Sequence, residues 1–327
     1  MLSFEKTPRP LNQEQPVTNC PDDSQVRFFD PSIHRKRLKV DAAISRNIEG
    51  IPLPSVVEIS ESGTCNRKCS FCPRSANWFE DIKEFISFDL LKKLCVELSE
   101  VDYSGTIMFS GFVEPMIDKQ IFEKISLVRK TLPKARIEMI TNGDILNRER
   151  LDRIIDCGLN TLLISAYDDK ETAEGFEKLA RDAGYGEDQV IVRHRYLPPE
   201  QDFGITMTNR GGTLDEADHK RPSLTEPLKQ KCFYPHYTFF MDYLGDVIIC
   251  THDWAKRKIV GNLKDQSFLE IWLSDEMNKL RRKLSQADRS ESPCNVCDAV
   301  GTLIGENHAK AWDKLLGVKE HERTDYL

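Results

Sequence analysis

A chain of 327 residues with 46 Lys and Arg against 53 Asp and Glu carries a formal net charge of −7, which gives no electrostatic reason to expect a nucleic acid or other polyanion as partner. Its length suits one large α/β unit with a small appendage. No apolar run approaches the roughly 20 residues of a membrane span, and the opening MLSFEKTPRPLNQEQP lacks the apolar core of a signal peptide, so a cytoplasmic protein without a membrane partner is expected.

Residues 1–50 are polar and proline-bearing and read as a loosely ordered extension draped over the domain, with the basic run HRKRLK (34–39) as a solvated face. From Val56 a buried-type strand, VVEIS, runs into a cysteine loop, and Ser87 starts the amphipathic helix FDLLKKLCVELSEV. Strand GTIMFSG is followed by helix IFEKISLVRKTL, strand ARIEMITNG by helix RERLDRIIDCG, strand NTLLISAYD by helix ETAEGFEKLARDAG, and then comes strand QVIVRHRYL. Five strands alternating with helices argue for a parallel sheet. With FGITMTNRGG (203–212) as a sixth strand, the α/β pattern over 51–222 fits a partial (β/α)6 TIM-like barrel, whose active site would lie at the carboxyl ends of the strands. A smaller unit over 223–302 reads as a hairpin, YTFFMDYLGDVIIC, turning at Leu244 and Gly245, and one helix, SFLEIWLSDEMNKLRRKL. Residues 303–327 form a helical tail.

Most of the ten cysteines cluster, which favours metal ligation over disulfides in such a chain. Cys65, Cys69 and Cys72, in SGTCNRKCSFCPRS, form a CxxxCxxC triplet with Phe71 before the last cysteine. Three thiolates can bind three irons of a four-iron cluster and leave the fourth open. A structural zinc site normally closes with a fourth Cys or His at short spacing, and residues 73–85 contain neither. The triplet and its aromatic residue resemble the signature of radical S-adenosylmethionine (radical SAM) enzymes. That resemblance implies a partial barrel, a [4Fe-4S] cluster whose open iron chelates SAM, and reductive cleavage of SAM to a 5′-deoxyadenosyl radical by an electron from a donor such as flavodoxin or ferredoxin.

Cys232, Cys250, Cys294 and Cys297 form a second group after the barrel pattern. Four thiolates saturate either a zinc ion or a fully ligated four-iron cluster, and spacing alone leaves both open. The surroundings resemble the twitch domain, the shortened SPASM domain of radical SAM proteins, which implies one auxiliary [4Fe-4S] cluster. Cys20, Cys95 and Cys157 stand apart and read as inert.

The resemblance also implies SAM contacts. Ser110 to Pro115 (SGFVEP) is similar to the family's GGEP motif, in which Gly111 would allow close backbone approach and Glu114 would accept from the methionine ammonium, although Phe112 and Val113 depart from the glycine-rich pattern. Thr141, Asn142 and Ser165, at or near strand ends, are expected to meet the ribose and carboxylate, or otherwise to cap strands and shape turns. The combination of clusters over about 55–300 most resembles the family's aminocyclitol dehydrogenases, implying oxidation of a secondary alcohol on a polar small molecule such as a sugar or cyclitol. Arg210, in TNRGG, is the candidate base, ahead of Arg193 and Arg195, while Tyr196, Tyr234, His236 and His252 read as packing. The alternatives are an epimerase or peptide-modifying enzyme with the same cofactors, and a zinc-bound structural protein.

Overall fold

The computed structural model describes residues 31–42, 44, 49–215 and 221–318. Helix α1 (Pro31–Ala42) precedes strand β1 (Val56–Ser60), and the cysteine loop lies between the short strands β2 (Ser62–Gly63) and β3 (Ile82–Phe85). There follow α2 (Phe88–Glu100), β4 (Thr106–Phe109), α3 (Ile121–Thr131), β5 (Arg136–Thr141), α4 (Arg148–Asp156), β6 (Thr161–Ala166), α5 (Lys170–Ala183) and β7 (Val190–His194). The C-terminal part adds α6 (Tyr234–Tyr237), β8 (Thr238–Asp242), β9 (Asp246–Ile248), β10 (Ile259–Asn262), α7 (Phe268–Trp272), α8 (Asp275–Ser285) and α9 (Glu306–Leu316).

The helix starts follow from capping. Ser87 accepts from the Leu90 amide, Asn147 from Arg150 and Asp169 from Thr172, while α5 ends where Gly184 enters the left-handed region. Each side chain satisfies an amide that the first helical turn leaves without an intrahelical partner.

The main sheet has the order β10-β9-β8-β1-β4-β5-β6-β7, with β8, β1, β4, β5, β6 and β7 parallel. Six parallel strands are therefore present, but the sixth is β8, laid beside β1, and not the segment 203–212. That segment cannot stay extended: Phe203, Gly204, Arg210, Gly211 and Gly212 all have positive φ, and Asn209 instead bonds Asp298 and the Val296 carbonyl. The expected helix over 267–284 is two helices. Ser274 leaves the helical region at φ −57°, ψ 151°, and its side chain caps α8 by accepting from the Met277 amide. The expectation of a loosely ordered, solvated segment also fails over 31–42, which is helical. Cys20 lies outside the described residues.

One face of the sheet, with Val57, Ile59, Ile107, Phe109, Ile137 and Met139, packs on α2, α3 and α4 through Leu91, Leu94, Leu98, Ile125, Val128, Leu151 and Ile154. The other face contributes Val56, Met108 and Ile140, which meet Ile33 and Val40 of α1, Tyr237 and Ala309 of α9. Alternation along each strand sends successive side chains to opposite faces, so α1 and α9 lie inside the curve of the half-barrel. They are tied together where Asp41 accepts from the Gly305 amide at 3.2 Å and its carbonyl from Asn307 Nδ2 at 3.0 Å.

The Arg281 guanidinium lies 3.8 Å from the Trp312 ring centroid of α9 and 4.1 Å from that of Trp272, and Trp312 Nε1 donates to the His236 carbonyl. Trp312 is fully buried. Trp312→Ala should therefore lower unfolding free energy by about 3–5 kcal/mol, as read by anaerobic chemical denaturation.

Candidate active site

Strand β1 delivers the cysteine loop to the carboxyl edge of the sheet, and two arginines hold it there. Arg67 forks onto Asp144, after β5, and Asp168, after β6, with contacts of 2.7–2.9 Å besides a shorter one to Asp144. Arg74, almost wholly buried, donates to the Phe112 carbonyl at 2.9 Å and pairs with Asp81, joining the cysteine loop to the loop after β4. Bidentate arginine–carboxylate pairs of this kind fix geometry as well as charge.

Cys65, Cys69 and Cys72 line one cavity of about 420 Å³. Burial, with a smaller contribution from neighbouring thiolates, pushes the Cys65 thiol up to about 11 and Cys69 up to about 12. The protein supplies too little positive charge to ionise them, so a metal-borne charge is what the cradle suits. Cys232, Cys250, Cys294 and Cys297 lie close enough to raise one another, Cys250 most strongly. Among the described residues, however, no three Cys, His, Asp or Glu side chains converge as a single metal ion requires. The same four thiols would saturate a four-iron cluster. Arg289 cinches this region by donating to the carbonyls of Gln230, Lys231, Ala299 and Val300 at 2.7–2.9 Å. Its cation lowers the Cys232 thiol against a larger rise from burial.

Gly111, Glu114, Thr141 and Asn142 come together at the same cavity. Gly111 has φ +98°, and a Cβ there would sit 3.0 Å from Ser60 Cβ, so both backbone and space call for glycine. Glu114 accepts from the Met116 amide at 3.0 Å, Thr141 Oγ1 at 2.7 Å and the Asn142 amide at 2.6 Å. Burial nevertheless raises its carboxyl to about 7, against the lowering by these bonds. Phe71 packs between Phe203 at 4.8 Å and Tyr167 at 5.5 Å. Ser165 is fully buried and not on the cavity wall; it accepts from Arg193 Nη2 at 2.5 Å, and Arg193 is what reaches the wall.

Arg210 also lines the cavity, at φ +52°, with its guanidinium near Cys72, Arg195, Tyr234 and Tyr167. Burial lowers its affinity for a proton, with the Cys72 charge opposing. Tyr234 in turn neighbours Cys232, Cys250 and Cys297. Arg210 and Tyr234 thus stand between the two cysteine groups. Of the residues read as packing, Tyr234 and His252 line the cavity, whereas His236 bonds Ser285 and Tyr196 bonds His194. Sequence reasoning missed Glu58, Lys36 and Trp254 on the wall. A charge in the middle of VVEIS was the one available signal for Glu58; nothing local marked Lys36.

The radical SAM superfamily model matches residues 59–198, and that of an iron–sulfur cluster-binding (SPASM) domain matches residues 232–298. The chain thus carries a radical SAM domain followed by a SPASM domain. It is 26% identical over 257 residues to S-adenosyl-L-methionine-dependent 2-deoxy-scyllo-inosamine dehydrogenase of Niallia circulans, over 78% of this chain and 96% of that enzyme. It is also similar to solved structures of BtrN. BtrN in complex with AdoMet and 2-DOIA has a TM-score of 0.66 at 25% identity, covering 79% of this chain and 98% of BtrN. BtrN in an open conformation has a TM-score of 0.57 at 21% identity, covering 79% and 97%. This is accordingly a radical SAM enzyme, with S-adenosylmethionine and two iron–sulfur clusters as cofactors. Helices α1 and α9 fall outside both matched ranges. No helix among the described residues is long and apolar enough to cross a membrane.

If Arg74 holds the cysteine loop in place, Arg74→Met should leave the reconstituted protein with clearly less iron than the parent while iron in Cys65→Ala/Cys69→Ala/Cys72→Ala, which keeps only the second group, is unaffected by the same change. Iron and sulfide analysis after anaerobic reconstitution measures this.

Proposed function

We propose that the enzyme oxidises a secondary alcohol of a polyhydroxylated small molecule, a sugar or cyclitol, to a ketone. The observation that carries the reading is the position of Arg210, in the cavity beside Cys72 and, through Tyr234, beside the second cysteine group. The curated relative, a dehydrogenase of an aminocyclitol, supports the same reaction class. When bound, the cofactors supply a 5′-deoxyadenosyl radical that takes a hydrogen atom from the carbinol carbon and, at the second cluster, a sink for one electron. The balance is one hydrogen atom, one proton and one electron removed from the alcohol.

Arg210 receives or orients the hydroxyl proton. A guanidinium is a poor base, and although burial lowers its hold on its own proton, its main asset is a set of donors on the cavity wall that can stabilise a developing alkoxide. Glu114 receives the methionine ammonium, with Gly111 admitting the backbone and Thr141 and Asn142 holding the carboxylate in place; Ser165 acts through Arg193. Phe71 packs the loop over the cavity. The seven clustered cysteines are the iron ligands, Cys65, Cys69 and Cys72 for the SAM-binding cluster and Cys232, Cys250, Cys294 and Cys297 for the auxiliary one. The reducing electron comes from a small donor such as flavodoxin or ferredoxin. An epimerase would need a thiol in the cavity to return hydrogen, and Cys95 is buried in α2 on the far face of the sheet.

The test is anaerobic incubation of reconstituted enzyme with SAM, dithionite and a panel of polyols including 2-deoxy-scyllo-inosamine. Ketone and 5′-deoxyadenosine should form in equal amounts; deoxyadenosine with no ketone from any polyol would overturn the reading. Arg210→Gln should lower ketone formation by about 10²–10⁴-fold while 5′-deoxyadenosine still forms. The carboxylate of Glu114 must be ionised to accept from an ammonium, and its raised value of about 7 means it is protonated below that pH. SAM affinity should therefore be flat above about pH 7 and fall by up to tenfold per unit below it; Glu114→Gln should bind weakly with no such dependence, as measured by calorimetry.

A further inference from the structure

The inner end of the cavity carries two opposite charges that do not meet. Glu58 lies two residues before the end of β1, inside the half-barrel. It is largely buried, and one carboxylate oxygen accepts from Ser110 Oγ at 2.6 Å. The other has no partner among the described residues. Lys36 reaches the same wall from α1, its ammonium 5.6 Å from the Tyr237 ring centroid. Among the described residues it makes no hydrogen bond or ion pair. Of the other cations of α1, Arg35 pairs with Asp188 at 2.8 Å and Lys39 with Glu138 at 2.6 Å, while Arg37 is exposed. Burial raises the Glu58 carboxyl and the Lys36 charge acts against that rise, yet the two form no ion pair. The space between them belongs to the cavity.

We infer that Lys36 and Glu58 together determine specificity by holding two neighbouring hydroxyls of the substrate, so that the end entering the half-barrel is an uncharged vicinal diol. The inference rests on the alcohol-oxidation reading and sharpens its substrate class. A hydroxyl both donates and accepts, so one can donate to Glu58 while its neighbour accepts from Lys36. An ammonium at this end would satisfy Glu58 but face Lys36; a carboxylate or phosphate would satisfy Lys36 but face Glu58. Each misfit leaves a like-charge contact in a partly desolvated site, which rejects it. The substrate is thus a fully hydroxylated cyclitol or sugar at this end, unlike the aminocyclitol in the relative's name. Lys36 comes from a helix outside the matched ranges, so this selectivity is added to the radical-forming parts rather than built into them.

The test uses the full-length enzyme, reconstituted and SAM-bound, with three probes: scyllo-inositol, 2-deoxy-scyllo-inosamine and myo-inositol 1-phosphate. Calorimetry gives their affinities, and ketone and 5′-deoxyadenosine are measured alongside. The neutral cyclitol should bind about tenfold or more tighter than either charged probe. Lys36→Met should move the preference toward the ammonium, and Glu58→Gln toward the phosphate. Iron content matching the parent shows that each variant is folded; if Glu58→Gln fails that check, Lys36→Met alone decides. A parent preference for a charged probe, preferences unmoved by the substitutions, or no binding of any probe overturns the inference. Binding that follows the expected pattern while no polyol yields ketone sustains it and removes the alcohol-oxidation reading instead.

Discussion

Strand β1 is paired on both sides, and the rest of the site depends on that. Its five residues are all buried, and they match β4 from Val56↔Thr106 to Ile59↔Phe109 and β8 from Val56↔Thr238 to Ser60↔Asp242. The first cysteine loop leaves the end of β1, and the hairpin begun by β8 leads to Cys250. Both cysteine groups therefore hang from one ladder. A one-residue slip on either side would exchange the faces of the slipped strand, sending Val57 and Ile59, or Phe239 and Met241, out of the core they fill. The large apolar cost of such a slip keeps the two groups in a fixed relation. The sheet runs without a break from β7 to β10, so the barrel and the cluster-binding unit share one piece of secondary structure.

Charge around the mouth is arranged so that most of it is already spent on structure. Arg67 is held by Asp144 and Asp168, Arg74 by Asp81, and Glu138 by Lys39 and Arg136. Behind the loop, Lys124 and Asp118 form a pair at 2.6 Å, both nearly inaccessible. Removing one partner of a buried pair leaves an uncompensated charge, so these groups resist being drawn into the cavity. Glu114, Arg210, Glu58 and Lys36 are different: each lines the cavity, and among the described residues none is held in an ion pair. A site that must stabilise developing charge needs such groups preorganised before the substrate arrives.

The repeating part of this architecture was legible from local signals. Ser87, Asn147 and Asp169 each precede a periodic apolar run and each caps a helix, and the five strands β1, β4, β5, β6 and β7 are short apolar runs of strand length. The cysteine spacings marked both metal groups, because ligands supplied by one loop must be near in sequence. What failed was decided by distant partners. FGITMTNRGG has a strand-like beginning, but its glycines serve a turn that docks on Asp298 and Val296. The parallel docking of β8 on β1 joins residues about 180 apart, beyond the reach of any periodicity. Run 34–39 looked solvated since Arg37 and Leu38 are indeed exposed; only the half-barrel's inner face shows why Lys36 and Lys39 turn inward. Glu58 and Lys36 lie on separate elements, and their facing one cavity is a property of the fold.

The placement of α1 and α9 separates two tasks that a radical enzyme must perform with the same cavity. The radical-forming groups lie on loops after parallel strands, where six strand ends converge, and their positions follow from the ladder alone. A partial barrel leaves its inner face uncovered, and an uncovered face admits water, which would solvate Glu58 and weaken every charge within reach. Helix α1 covers that face with Ile33 and Val40, pairs through Arg35 with Asp188 in the turn before β7, and is fastened to the start of α9 through Asp41. Helix α9 is fastened in turn by Trp312 against Arg281. Segments from both ends of the chain thus form one unit, and the strength of the Lys36 and Glu58 interactions depends on its staying closed. Selectivity can then change with the covering helices while the parts that make the radical keep their geometry.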